Sequence, residues 1–219
     1  LHTILVGVLA VGLTMFGVGC GGAGSGSSSP NAPASLDADA QDASVSLSWE
    51  ASEDAEVYNV YRATSSTSDA EGDPAASGVS GTSYTDDAAE NATTYYYRVT
   101  AVDGDDNEGD PSGEVQSTPF ATPSGLAGTS GDAQVELEWS AAAGADAYNV
   151  YRSTNSTDEA TGDPIATAVS GTAYPDSDVT NGTKYYYRVT AVNPEEEESD
   201  GSGEIAKTPF SSPPDRPDE

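Results

Sequence analysis

The sequence predicts an all-β chain made of two tandem seven-stranded antiparallel sandwiches, and three observations predict it. The 219-residue chain repeats itself at a shift of ninety positions: Asn31 to Phe120 overlays Ala121 to Phe210 without a gap, with about half the positions identical. Within each copy the apolar residues alternate with polar ones at period two, the signature of half-buried strands. No segment holds a helical period over about ten residues, while turn-forming dipeptides recur throughout.

The chain opens on an apolar run, Ile4 to Val18, closing at Gly19-Cys20 before a Gly/Ser-rich stretch. Fifteen or so residues fall short of the ~20 that span a bilayer as a helix but suit the apolar region of a secretory signal. Residues 1–19 are therefore read as a signal peptide. The small residues before a lone cysteine resemble the lipobox of bacterial and some archaeal lipoproteins, although Gly17 stands where that family has Leu. The resemblance implies lipidation of Cys20; an ordinary cleaved signal and an uncleaved anchor helix remain the alternatives. Residues 20–32 read as a flexible tether, whose glycines and serines give a root-mean-square span of roughly 20 Å.

The first domain is read as residues 33–120. Val45, Leu47 and Trp49 alternate with serines in one strand, and Tyr58 and Val60 oppose Asn59 and Tyr61 in the next. In Tyr95 to Val102 the residues Tyr95, Tyr97, Val99 and Ala101 share the inward face, leaving Tyr96, Arg98 and Thr100 outside. Residues 121–210 repeat this as the second domain, with Val135, Leu137 and Trp139 alternating against Gln134 and glutamates. The joint Thr-Pro-Phe-Ala-Thr-Pro-Ser-Gly is short and holds two prolines, which predicts an extended, semi-rigid pair. Residues 211–219 are read as a disordered tail.

Charge excludes several function classes. Asp and Glu number 37 against 7 Lys and Arg, a formal net charge of −30. Such a surface repels nucleic acid and anionic lipid headgroups, so neither is a partner and membrane contact is by lipid anchor alone. An acidic surface over a small-residue core resembles the proteins of high-salt organisms, because molar salt shortens the Debye length to ~3 Å. With one cysteine and one histidine, Cys20 and His2, the chain has no intramolecular disulfide and no imidazole chemistry in its body.

Taken together, Pro33 and Leu36 before the first strand, Leu47 to Trp49, Tyr58 to Arg62, Gly81 to Asp86, Asn91 to Val102 and the closing Thr-Pro-Phe resemble the fibronectin type III family, and the second copy repeats them from Pro123 to Phe210. The resemblance implies an immunoglobulin-like sandwich without disulfides in each copy. It also implies that Tyr95 and Tyr185 make the tyrosine corner that opens the sixth strand. Tyr97 and Tyr187 take the next inward slot, where an antibody domain carries cysteine. Members of the family are spacers, adhesins and partner-binding modules, so the fold constrains function weakly.

Candidate sites follow from the same faces. Tyr61, Tyr96 and Arg98, and Tyr151, Tyr186 and Arg188 in the second copy, form a candidate ligand face where stacked rings and guanidinium could hold a sugar or a protein loop. The alternative is a cross-strand ladder that stiffens the sheet at ~0.2–1 kcal/mol per pair. Asp103 to Asp110 opens a loop with carboxylates at calcium-like spacing, but Glu108 sits where the glycine belongs, and the segment reads as a solvated acidic loop. Asn91, Asn155 and Asn181 head glycosylation sequons. No phosphate loop, serine elbow or histidine pair is present, so no catalytic residue, metal or cofactor is expected. The expectation is a monomeric, non-enzymatic, lipid-anchored protein of the outer membrane or cell surface, binding or spacing for an unidentified envelope protein or glycan. A carbohydrate-binding accessory module of a secreted hydrolase is the alternative.

Overall fold

A computed structural model describes residues 29–66, 70, 72–156 and 162–211. The signal segment, Cys20, most of the tether and the tail from 212 lie outside the described residues. Within them every regular element is a strand.

In the first copy β1 (Ala34–Gln41), β2 (Ser44–Glu50) and β5 (Ser83–Asp86) form a three-stranded sheet in the order β1-β2-β5. Facing it are β4 (Ala76–Val79), β3 (Val57–Ala63), β6 (Tyr95–Val102) and β7 (Val115–Ser117), in the order β4-β3-β6-β7. The second copy repeats both sheets: β8 (Ser124–Gly131), β9 (Gln134–Ser140) and β12 (Ala173–Asp176) oppose β11 (Ala166–Val169), β10 (Ala147–Ser153), β13 (Tyr185–Val192) and β14 (Ile205–Lys207). All neighbours pair antiparallel. Each copy is thus a seven-stranded sandwich, as the sequence predicts.

Alternation explains the core. Val45, Leu47 and Trp49 of β2 are buried against Tyr58 and Val60 of β3 and Tyr95, Tyr97, Val99 and Ala101 of β6. Trp49 meets Tyr58 edge-on with ring centroids 5.4 Å apart, and Trp139 meets Tyr148 at the same separation. Burying each such side chain contributes ~1.5–3 kcal/mol, which makes these few residues the main source of cohesion in a ninety-residue unit. The outer two tyrosines of each Tyr-Tyr-Tyr run lie inside, and the middle one is only partly covered.

The structure departs from the sequence reading in three places. Leu36 lies within a strand, β1, rather than before one; Ala, Ser and Asp give that segment little β-propensity, and its ladder with β2 supplies the order instead. Ser35 takes a positive φ of 54° where the ladder shifts register between Ala34 and Asp37, a bulge at the sheet edge. Thr100 points outward from β6 yet is only 2 % exposed, because the loop between β6 and β7 folds back over it. Phe120, read as the end of the first domain, packs into the core of the second, where Ala40 of the first domain joins it.

Candidate ligand face

The register places Tyr61 of β3 directly opposite Arg98 of β6, and Ala63 opposite Tyr96. Tyr151 likewise opposes Arg188, and Ser153 opposes Tyr186. The six residues named from the sequence therefore do gather on one face of each four-stranded sheet. Four of them, Tyr61, Arg98, Tyr151 and Arg188, hold their own loop. The Tyr61 hydroxyl donates to Glu108 Oε1 at 2.8 Å, Asn59 Nδ2 donates to the same oxygen at 3.1 Å, and the Thr100 hydroxyl donates to it as well. In the second copy Tyr151 donates to Glu198 Oε1 at 2.6 Å, joined by the Thr190 hydroxyl. Arg98 donates to the Ser112 carbonyl at 2.8 Å and lies 3.5 Å from Glu114; Arg188 makes the matching bond to Ser202 at 2.6 Å.

Electrostatics follows this geometry. Burial alone would raise the Glu108 carboxyl, but the hydrogen bonds from Thr100, Tyr61 and Asn59 outweigh it and hold the group below its ordinary value. Glu198 is held down in the same way by Thr190, Tyr151 and Asn149. Burial, and then the bond to a neighbouring carboxylate, push the phenols of Tyr61 and Tyr151 up to about 12. An isolated bridge, Val102 to Glu108, and its counterpart, Val192 to Glu198, fix the loop backbone over the sheet.

The acidic loop is organised from within. Asp103 Oδ1 accepts the backbone amides of Asp105 and Asn107, both at 2.9 Å, and the carboxylate also takes the Asn107 side-chain amide. In the second copy the polarity is reversed: the Asn193 amide donates to Glu197 Oε2 at 2.6 Å, while its oxygen accepts the Glu197 backbone amide. Among the described residues no group of three His, Cys, Asp or Glu is arranged to hold a metal ion. The sequon side chains Asn91 and Asn181 clasp the turns before β2 and β9, accepting from Ala43 and Ala133 and donating to Asp42 and Asp132.

Both tyrosines opening the sixth strand bond back to the preceding turn: the Glu90 amide donates to the Tyr95 hydroxyl and the Thr180 amide to the Tyr185 hydroxyl, each at 3.1 Å. Sequence reasoning missed a polar tie between the sheets. Arg62 Nη1 donates to both oxygens of Asp86 at 3.0 and 2.8 Å, and the Tyr97 hydroxyl donates to Asp86 Oδ2 at 2.9 Å. Arg152, Asp176 and Tyr187 repeat it. The guanidinium carbon of Arg62 also lies 5.1 Å above the Tyr95 ring. Alternation could have flagged Arg62, since it shares the inward line of Tyr58 and Val60, where a charge needs a partner.

Fold and site together define a protein of tandem, filled β-sandwiches in which the outward Tyr61, Arg98, Tyr151 and Arg188 serve their own loops. Residues 124–208 match the family model described as Fibronectin type III domain SaeA third domain. The second copy is thus similar to the fibronectin type III family, and the first copy shares its sandwich fold and the repeated residues. Among curated relatives, an amylopullulanase of Thermoanaerobacterium saccharolyticum is 45 % identical over 71 residues, 32 % of this chain and 5 % of that protein. A poly(3-hydroxybutyrate) depolymerase of Ralstonia pickettii is 35 % identical over 136 residues, 62 % of this chain and 25 % of that protein. A solved Fn3-like protein from Clostridium thermocellum is 41 % identical, covering 39 % of this chain and 88 % of that one, with a TM-score of 0.35. The chain thus spans a quarter or less of the length of these two curated relatives.

Proposed function

We propose that the chain is a non-enzymatic spacing module of the cell envelope, lipid-anchored at Cys20, whose two fibronectin type III domains set a distance between the membrane and whatever lies beyond it. One observation carries the reading: in both copies one outward tyrosine and the arginine opposite it are bonded to their own loop, Tyr61 to Glu108 and Arg98 to Ser112, Tyr151 to Glu198 and Arg188 to Ser202. Similar domains occur in proteins named for two different activities, which fits a module indifferent to substrate. The charge of −30 fits work in concentrated salt, where screening removes the self-repulsion. Two experiments test this. Intact-mass spectrometry of the protein from its native membrane is expected to find lipid on Cys20, and an unmodified cysteine overturns the anchor. On a glycan array the intact protein is expected to give no saturable binding.

A second reading, an accessory carbohydrate-binding module of a secreted hydrolase, draws on the amylopullulanase relatives. Saturable sugar binding that disappears in Tyr96→Ala/Tyr186→Ala would favour it over spacing.

A further inference from the structure

We propose that the joint between the two domains is a salt-gated hinge, closed by an apolar plug and pushed open by facing carboxylates when salt does not screen them. The plug is Phe120. It is 1 % exposed and belongs to the core of the second domain, where Ala40 from β1 of the first domain joins it. The Ala121 amide donates to the Ala143 carbonyl at 2.8 Å, fixing the chain as it enters.

The seat for this plug is Gly144. A β-carbon there would stand 2.8 Å from the Pro119 carbonyl oxygen and 2.9 Å from Phe120 Cβ, closer than packed atoms approach. Its φ is +81°, but the backbone alone does not demand glycine: the equivalent residue of the first copy is Asp54, which holds a φ of 65° with a full side chain. Glycine is needed at 144 because Pro119 and Phe120 pass over it. The joint is therefore a fitted contact rather than a free linker.

The opposing force lies beside the plug. A groove of about 410 Å³ runs between the domains, walled by Asp39 and Asp42 from the first and by Glu198 and Asp200 from the second. A neighbouring groove of about 530 Å³ brings Asp37 opposite Glu197. Neither wall carries a basic side chain. Charges that face each other across solvent feel one another over ~30 Å at 0.01 M salt but over only ~3 Å at 1 M. Burial of Phe120 has no such dependence, since it draws on the removal of apolar surface from water. Dilute solution thus leaves the repulsion unscreened, and concentrated salt leaves the plug in control together with two hydrogen bonds across the joint, Thr118 to Glu195 and the Thr122 amide to Asp42. The angle between the domains becomes a function of ionic strength, whether or not the module acts as a spacer.

Single-molecule energy transfer tests this on the full chain carrying Cys20→Ser, with dyes at Asp73→Cys and Asp163→Cys, both exposed positions. KCl is varied from 1 M down to the lowest concentration at which circular dichroism retains the β-spectrum. One narrow distance distribution is expected at 1 M, broadening as salt falls. Asp39→Asn/Glu197→Gln/Asp200→Asn should keep the narrow distribution at the lowest salt, whereas Gly144→Asp and Phe120→Ala should each broaden it at every salt. A wild-type distribution unchanged across the folded range overturns the proposal. So does a neutralised variant that broadens as the wild type does, or a Gly144→Asp chain that stays narrow.

Discussion

Replacing Asp86 by alanine should cost the first domain about 2–4 kcal/mol, and the figure can be built from the contacts. Asp86 is 2 % exposed at the end of β5, and its partners Arg62 and Tyr97 stand on the opposite sheet, so it joins the two layers. Tyr97 is fully buried, and stranding its hydroxyl costs ~1–3 kcal/mol. The Arg62 side chain keeps 27 % exposure, so water restores part of what it loses, leaving ~1 kcal/mol from that bond. For a domain of this size each kcal/mol moves the melting midpoint by ~4–8 °C, which gives a drop on the order of 10–30 °C. Scanning calorimetry of the full chain in 1 M KCl is the assay, with the exposed Asp73→Ala as control. Adding Tyr97→Phe to Asp86→Ala removes the stranded hydroxyl and should return ~1 kcal/mol or more. A loss no larger than that of Asp73→Ala, or a double variant less stable than the single one, would refute the tie.

Three further outcomes are expected. Phe120→Ala should destabilise the second domain by ~3–5 kcal/mol, while Phe210→Ala, at the same place in the repeat but 54 % exposed, should stay within ~0.5 kcal/mol; urea unfolding of the two variants decides it. Because the Glu108 carboxyl is held below its ordinary 4.5 in the folded protein, its contribution is complete above that value and is lost as pH falls through the folded one. The stability gap between wild type and Glu108→Gln should therefore be constant from neutrality to about pH 5 and shrink below it, read by urea unfolding across pH. Tyr61 and Tyr151, raised to about 12, should titrate by ultraviolet difference spectroscopy well above an ordinary phenol, and Glu108→Gln should bring Tyr61 down while leaving Tyr151 in place.

How far the sequence could be read depends on what produces each feature. Alternation is local, so β2, β3 and β6 and the burial of Tyr95 and Tyr97 were legible from single segments. Gathering the candidate face was legible too, because neighbouring strands with known inward residues leave the remainder outside. The bond between Tyr61 and Glu108 was not, since Glu108 arrives from a loop 47 residues beyond Tyr61, and a loop's path over a sheet leaves no periodic trace. Asp86 is another case: Arg62 announced an unmet charge, but the acceptor comes from a different sheet 24 residues away.

The joint shows a subtler limit and a way past it. Thr-Pro-Phe closes both copies, and the repeat alone assigns Phe120 and Phe210 the same surroundings, although one is buried and the other exposed. Phe120 packs over the turn at Gly144 of the copy that follows it, and the matching turn of the first copy carries Asp54, a full side chain where the second copy must leave room for Pro119 and Phe120. Identity between tandem copies reports the constraints of one domain folding by itself, because those constraints are shared. Positions where the copies part company, once their backbone is the same, report what only one of them touches. In a repeat protein the second class of residue is therefore the place to look for how the units are joined.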